Sequence, residues 1–177
     1  NGLNIAYLPF LVESKALPAA VEGLRALQFL GANVTLPHKE AAARLVDELS
    51  PSANLIGAIN TIVNRRGRLY GTTTDPDGIL LSLKRAGVAL GRRPITLLGT
   101  GGAARTALFA FLMRGCRDLA IAGRHPEKAL AWVSRARRHF GLSIPAYTLN
   151  EPAFDERIKA TGLLVNCTSV GMAPQVR

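Results

Sequence analysis

In the second half of the chain the apolar pattern switches repeatedly between two periods. Residues 95–98 (Ile-Thr-Leu-Leu) suit a short buried strand, residues 99–102 (Gly-Thr-Gly-Gly) must turn tightly, and from Ala103 the chain is apolar and helix-forming. Strand-like runs recur at 118–122, 144–149 and 163–166. Between them, residues 126–140 set Ala129, Leu130, Val133, Ala136 and Phe140 at helical spacing with Arg135 and Arg138 toward water, and residues 152–159 suit a short helix. This βαβαβαβ alternation predicts a parallel sheet covered on both faces.

The first half is less regular. Residues 5–10 read as a strand, and residues 17–27 as an amphipathic helix with Leu17, Ala20, Val21, Leu24 and Leu27 on one face. A strand at 32–35 leads through Pro37 into a helix whose buried stripe is Ala42, Leu45, Val46 and Leu49. Pro37 excludes ordinary helix just before it, so Lys39 is expected at the helix N-terminus. Residues 50–52 read as a turn and 57–63 as a strand interrupted by the polar Asn60. A basic turn at 64–68, a short strand at 69–70 and a helix running to residue 86 follow, with Asp75 before Pro76 as its expected N-cap. Residues 87–93 mark a break before the glycine turn.

The chain has 177 residues, 48% hydrophobic and 19% charged, enough for one domain or two small ones with a real core. Its apolar runs are far shorter than a membrane span, so no membrane partner is expected. The first residues lack the pattern of a signal peptide, and without an initiator Met the chain reads as an excerpt. Cys116 and Cys167 have no metal-ligand or disulfide spacing, which makes a reducing cytoplasm the expected compartment. The net charge of +10 raises nucleic acid as a partner. Residues 1–90 carry 9 basic and 7 acidic side chains, whereas residues 91–177 carry 13 and 5, so the surplus accompanies the glycine turn. The basic residues form scattered clusters without interleaved aromatics or a nucleic-acid motif, and a phosphorylated small molecule is the better match.

Gly99, Gly101 and Ala104 fit the dinucleotide fingerprint G-x-G-x-x-G/A, in which the turn lets backbone approach a pyrophosphate and the following helix offers its unpaired N–H groups. The residue reading the adenosine ribose is expected about 20 residues on, at the end of the next strand. There the chain has Arg124, with Lys128 nearby, and no acid directly after the strand. A guanidinium suits a 2′-phosphate, so NADP is favoured over NAD.

Five separated motifs carry a resemblance. Asn33-Val34-Thr35-Leu36-Pro37-His38-Lys39 resembles NVTxPxK, Gly57-Ala58-Ile59-Asn60-Thr61 resembles GAxNT, and Gly71-Thr72-Thr73-Thr74-Asp75-Pro76-Asp77-Gly78 resembles GxNTDxxG. Gly99-Thr100-Gly101-Gly102-Ala103 resembles GxGGA, and Asn166-Cys167-Thr168-Ser169-Val170-Gly171-Met172 resembles NxTxxGM. In this order the motifs resemble those of the shikimate dehydrogenase family. The resemblance implies an α/β, two-domain architecture: an N-terminal α/β substrate domain over residues 1–77 and a C-terminal Rossmann-like NADP-binding domain over residues 78–177. It implies NADPH-dependent reduction of 3-dehydroshikimate to shikimate, with Lys39 as proton carrier and Asp75 hydrogen-bonding a substrate hydroxyl. Thr35 and Asn60 would bind ring hydroxyls. Gly99, Thr100, Gly101, Gly102 and Ala103 would cradle the pyrophosphate, Arg124 and Lys128 would hold the 2′-phosphate, Thr168 would bind the cofactor, and Met172 would lie at its nicotinamide end. Thr73 stands where the family usually has Asn. The family's carboxylate-binding serines are expected upstream of Asn1, and its helix with a substrate-binding glutamine beyond Arg177. A quinate/shikimate paralogue, a non-catalytic nucleotide- or nucleic-acid-binding module, and a homodimer remain open.

Overall fold

The computed structural model describes residue 2 and residues 4–171. It divides into two compact units, Asn1–Thr73 and Thr74–Arg177, each with its own four-stranded sheet.

In the first unit β1 (Gly31–Asn33), β2 (Glu48–Leu49), β3 (Thr61–Arg65) and β4 (Arg68–Thr72) are arranged in the order β1-β3-β4-β2. β3 and β4 form an antiparallel hairpin closed by Arg66 and Gly67, whose φ angles of 56° and 89° suit a two-residue hairpin turn. β1 joins β3 antiparallel and β2 joins β4 in parallel. Among the described residues the unit also holds a 3₁₀ turn at Ser14–Ala16 and the helices α1 (Leu17–Ala26), α2 (Lys39–Ala42) and α3 (Pro51–Ile56). Leu17 and Val21 of α1, Ala42 and Ala53 form one buried cluster with Ile59, Ile62 and Leu69.

Several expectations for this half change. Residues 5–10 belong to no strand, and Ile5, Tyr7, Leu8 and Phe10 are exposed. The helix expected to reach Leu49 ends at Ala42, because Asp47 is claimed by β4. Its N–H donates to the Leu69 carbonyl at 3.0 Å, and its carboxylate accepts the Leu69 N–H at 2.6 Å. Leu45, Val46 and Leu49 still pack on the core, now from a turn and β2. The turn at 50–52 is instead the start of α3, where Ser50 Oγ accepts the Ala53 N–H at 3.2 Å and Pro51 occupies the first position. The strand expected at 57–63 starts only at Thr61, since Gly57 at φ 76° ends α3.

Arg25 of α1 donates to both oxygens of Asp47, at 2.6 and 3.1 Å, and to the Gly67 carbonyl at 2.5 Å, fastening helix to hairpin. The Arg25 guanidinium, followed by the Leu69 N–H, holds the Asp47 carboxyl below the usual carboxylate range. A depressed folded-state pKa contributes stability that is present above the unfolded value, about 3.9, and is lost as pH falls through the folded value. Asp47→Asn should therefore shrink the acid-side fall in unfolding free energy, measured by urea titration between neutral and acidic pH. An acid limb identical to wild type would remove this pair from the balance.

The second unit holds α4 (Asp75–Arg85), β5 (Ile95–Leu98), α5 (Gly102–Met113), β6 (Leu119–Gly123), α6 (Leu130–Phe140), β7 (Ala146–Thr148), α7 (Pro152–Ala160) and β8 (Leu163–Asn166). Its sheet is wholly parallel, in the order β7-β6-β5-β8. Every residue of β6 is buried, as are Ile95, Thr96 and Leu97, which is why these strands read as continuous apolar runs. α5 packs against α4, β5 and α6 and buries Ala104 and residues 107–112. The buried Thr96 hydroxyl is satisfied by Thr161 Oγ1 at 2.7 Å and Arg157 Nε at 3.1 Å.

Three details differ from expectation, the first being that β7 covers only Ala146–Thr148 of the strand expected at 144–149. The N-cap of α4 is Thr74, and Asp75 is the first helical residue, its carboxylate placed in the first turn. Residues 126–129 form a 3₁₀ turn rather than the first turn of α6. Its three-residue period shifts the phase of the stripe: Leu130 is 59% exposed, while Trp132 is buried with its Nε1–H donated to the Lys128 carbonyl at 3.0 Å.

Candidate active site

In the first unit main-chain hydrogen bonds draw three separated stretches together. The Val34 N–H donates to the Asn60 carbonyl at 2.7 Å, the Asn60 N–H to the Thr72 carbonyl at 3.1 Å, and the Ile59 N–H to the Lys39 carbonyl at 3.0 Å. Thr35, Lys39, Asn60 and the end of β4 are thereby neighbours although up to 37 positions apart in the chain. Lys39 opens α2 as expected from Pro37, and its side chain is partly buried. His38 before it contacts the Val12 carbonyl through Nε2 at 2.8 Å. Asn60 Oδ1 accepts the Thr61 hydroxyl at 2.8 Å. Thr35 is exposed, whereas Thr73 is buried with 7% exposure. Asp75, partly buried, is the second residue of the second unit.

In the second unit the chemistry gathers at the carboxyl ends of β5, β6 and β8. From β5 the chain passes through α5 to β6 on one side, and later through α7 to β8 on the other. The order reverses at β5, and a crevice at such a point is where open parallel sheets bind ligands. Gly99 sits at its floor with φ 117°, and a Cβ there would meet the Cys167 carbonyl oxygen at 3.0 Å and the Thr168 nitrogen at 3.3 Å. Glycine is required on both counts. At Gly123, by contrast, the constraint is space, because a Cβ would meet Thr100 Cγ2 at 2.9 Å.

Gly101 and Gly102 behave differently. Neither has a positive φ, and a Cβ at either would meet nothing within 4 Å. The fold does not itself demand glycine there, yet the bare backbone opens α5, whose first N–H groups lack intrahelical partners. A cradle that a side chain would fill, at the positive end of a twelve-residue helix, fits a pyrophosphate. Ala103 beside it is exposed. Arg124 and Lys128 are exposed beyond the end of β6, and His125 Nδ1 lies 3.2 Å from Glu127. The donor set therefore fits NADP: backbone amides for the pyrophosphate and a guanidinium for the 2′-phosphate.

The opposite wall is the loop after β8. Asn166 Oδ1 accepts the Thr168 N–H at 3.0 Å and the Thr168 hydroxyl at 2.7 Å, while Asn166 Nδ2 donates to the Val170 carbonyl at 3.2 Å. Asn166 is the residue whose role sequence reasoning misses, and the Asn-x-Thr spacing that forms such a turn is the available signal. Burial pushes the Cys167 thiol up to about 11, so it is neutral at physiological pH. Met172 lies outside the described residues.

Residues 1–62 match the family model described as the shikimate dehydrogenase substrate binding domain. The chain is similar to the shikimate dehydrogenase (NADP(+)) of Moorella thermoacetica, 44% identical over 177 residues that cover 99% of this chain and 60% of that protein. Among solved structures, shikimate 5-dehydrogenase from Listeria monocytogenes in complex with shikimate and NAD superposes with a TM-score of 0.86 at 31% identity, over 93% of this chain and 58% of that one. The shikimate 5-dehydrogenase of Thermus thermophilus in complex with NADP(H) and shikimate gives a TM-score of 0.74 at 39% identity, over 90% of this chain and 56% of that one. The chain thus spans about 60% of the length of the curated relative it matches. With the α/β architecture, the ordered motifs and these likenesses in agreement, the chain is similar along nearly its whole length to members of the shikimate dehydrogenase family.

Proposed function

We propose that the protein containing this chain is an NADP-dependent shikimate dehydrogenase, an oxidoreductase that reversibly reduces 3-dehydroshikimate to shikimate on the route to chorismate and the aromatic amino acids. The observation that carries the reading is the bare Gly101–Gly102 backbone at the reversal of strand order, followed by Arg124 where an NAD-reading acid would stand. When bound, NADPH supplies the hydride that reduces the carbonyl carbon. Residues 1–77 serve the substrate and residues 78–177 the cofactor.

Lys39 gives its proton to the alkoxide oxygen as reduction proceeds, and its amine takes that proton back in the reverse direction. Asp75 accepts a hydrogen bond from a substrate hydroxyl, and Thr35 and Asn60 bind the ring hydroxyls. The main-chain bonds between Asn60 and both Val34 and Thr72, and between Ile59 and Lys39, keep Thr35, Lys39 and Asn60 in register before substrate arrives. Gly99 to Ala103 hold the pyrophosphate, and Arg124 with Lys128 the 2′-phosphate. The reading places the reaction in the cytoplasm, where Cys116 and Cys167 stay reduced. Among the described residues no helix is long and apolar enough to cross a membrane.

Calorimetric titration of the full-length protein with NADP, shikimate and quinate tests this assignment. Binding of NADP and shikimate is expected. A protein that ignores both and retards duplex DNA with a steep salt dependence would be a nucleic-acid binder instead. Arg124→Ala is expected to weaken NADPH about 10- to 100-fold, the worth of one charge-assisted contact, with a much smaller effect on NADH. Equal losses for both cofactors would remove Arg124 from the phosphate site.

A further inference from the structure

We propose that Asn166 is a positioning residue for the cofactor: it consumes both hydrogen-bond donors of Thr168, so that Thr168 meets the nicotinamide half of NADP as an acceptor only. The inference rests on the NADP reading above and adds a residue and a polarity to it.

Asn166 takes both the N–H and the hydroxyl proton of Thr168 on its Oδ1, at 3.0 and 2.7 Å, and gives its own Nδ2–H to the Val170 carbonyl at 3.2 Å. Thr168 Oγ1 in turn accepts the Val170 N–H at 3.1 Å, and the Cys167 N–H goes to the Leu98 carbonyl at 2.8 Å. A hydroxyl has one proton and two lone pairs. At Thr168 the proton and one lone pair are spent, which leaves a single accepting position.

That accounting separates the two walls of the crevice. The turn opening α5 offers bare glycine backbone at Gly101 and Gly102 and the first amides of a helix, whereas the amides of Cys167, Thr168 and Val170 are all spent within the protein. Phosphate oxygens, which need donors, gain nothing from these groups and are held on the glycine side. An accepting oxygen suits a ribose hydroxyl or a carboxamide –NH₂. The sheet order says which half of the cofactor these belong to: Arg124 follows β6 on one side of β5, and the loop after β8 lies on the other. With the 2′-phosphate at Arg124, the half that reaches β8 is the nicotinamide half. The turn also lies directly against Gly99, so its shape and that of the pyrophosphate turn are set together.

The test is calorimetric titration of the full-length protein with NADP and with adenosine 2′,5′-bisphosphate, which carries the 2′-phosphate but no nicotinamide half. Asn166→Ala should raise the Kd for NADP about tenfold and leave that for the bisphosphate within about twofold, the size expected of one lost hydrogen-bond arrangement. Thr168→Val, which keeps the shape and loses the hydroxyl, should show the same split, and Thr168→Ser should restore NADP binding. Parallel weakening of both ligands in both variants, or no change for either ligand, overturns the inference. Wild-type protein that binds neither ligand overturns the NADP reading itself, and the inference with it.

Discussion

Replacing Lys39 by Ala lowers kcat for shikimate oxidation by about two to four orders of magnitude, the contribution of a positioned proton-transfer group, and leaves NADP affinity unchanged. The main-chain carbonyl of Lys39, which the substitution retains, accepts the Ile59 N–H, and Ala41 and Ala42 of α2 pack on the core. Steady-state kinetics with a thermal melt of the same preparation measures the effect. A variant that turns over normally, or one that folds and loses NADP binding instead, would show that Lys39 has been given the wrong role.

The second large effect is at Gly99. Gly99→Ala puts a Cβ at φ 117°, 3.0 Å from the Cys167 carbonyl oxygen and 3.1 Å from its carbon, where the obstacle is backbone and cannot rotate aside. Backbone strain and overpacking together should cost on the order of 3 kcal/mol. NADP binding should fall with it, because the loop after β8 must move. Gly101→Ala is the informative partner: its Cβ meets nothing within 4 Å, so unfolding in urea without cofactor should match wild type. The added methyl nevertheless occupies room assigned to the pyrophosphate, so NADP should bind more weakly to Gly101→Ala as well. If both substitutions destabilise alike, the distinction between a glycine needed by the fold and one needed by the ligand is wrong.

That distinction also explains what the letters reveal and what they hide. β5, the glycine turn, α5 and β8 are legible because buried parallel strands read as apolar runs and glycine loops punctuate them; β8, expected at residues 163–166, spans Leu163–Asn166. The first unit is harder because its elements are short and fixed by partners distant in sequence. Leu45, Val46 and Leu49 carry a helical period, yet Asp47 pairs with Leu69 and Arg25 and draws that stretch toward β2. Residues 5–10 have strand composition, but a strand requires a ladder partner, and among the described residues they have none. At the candidate site the glycine turn is legible from spacing, whereas Lys39 and Asn60 are singled out by the motifs that carry the family resemblance. Spacing cannot show that Thr168 spends its hydroxyl proton on Asn166, since hydrogen-bond direction follows from coordinates.

The most direct measurement is the absorbance of NADPH formed when the full-length protein is mixed with NADP⁺ and shikimate, wild type beside Lys39→Ala. Sustained formation by wild type, abolished or nearly so by the substitution while NADP still binds, is the predicted result. No NADPH from a folded wild-type protein that binds both compounds, or equal rates from the two proteins, would contradict it.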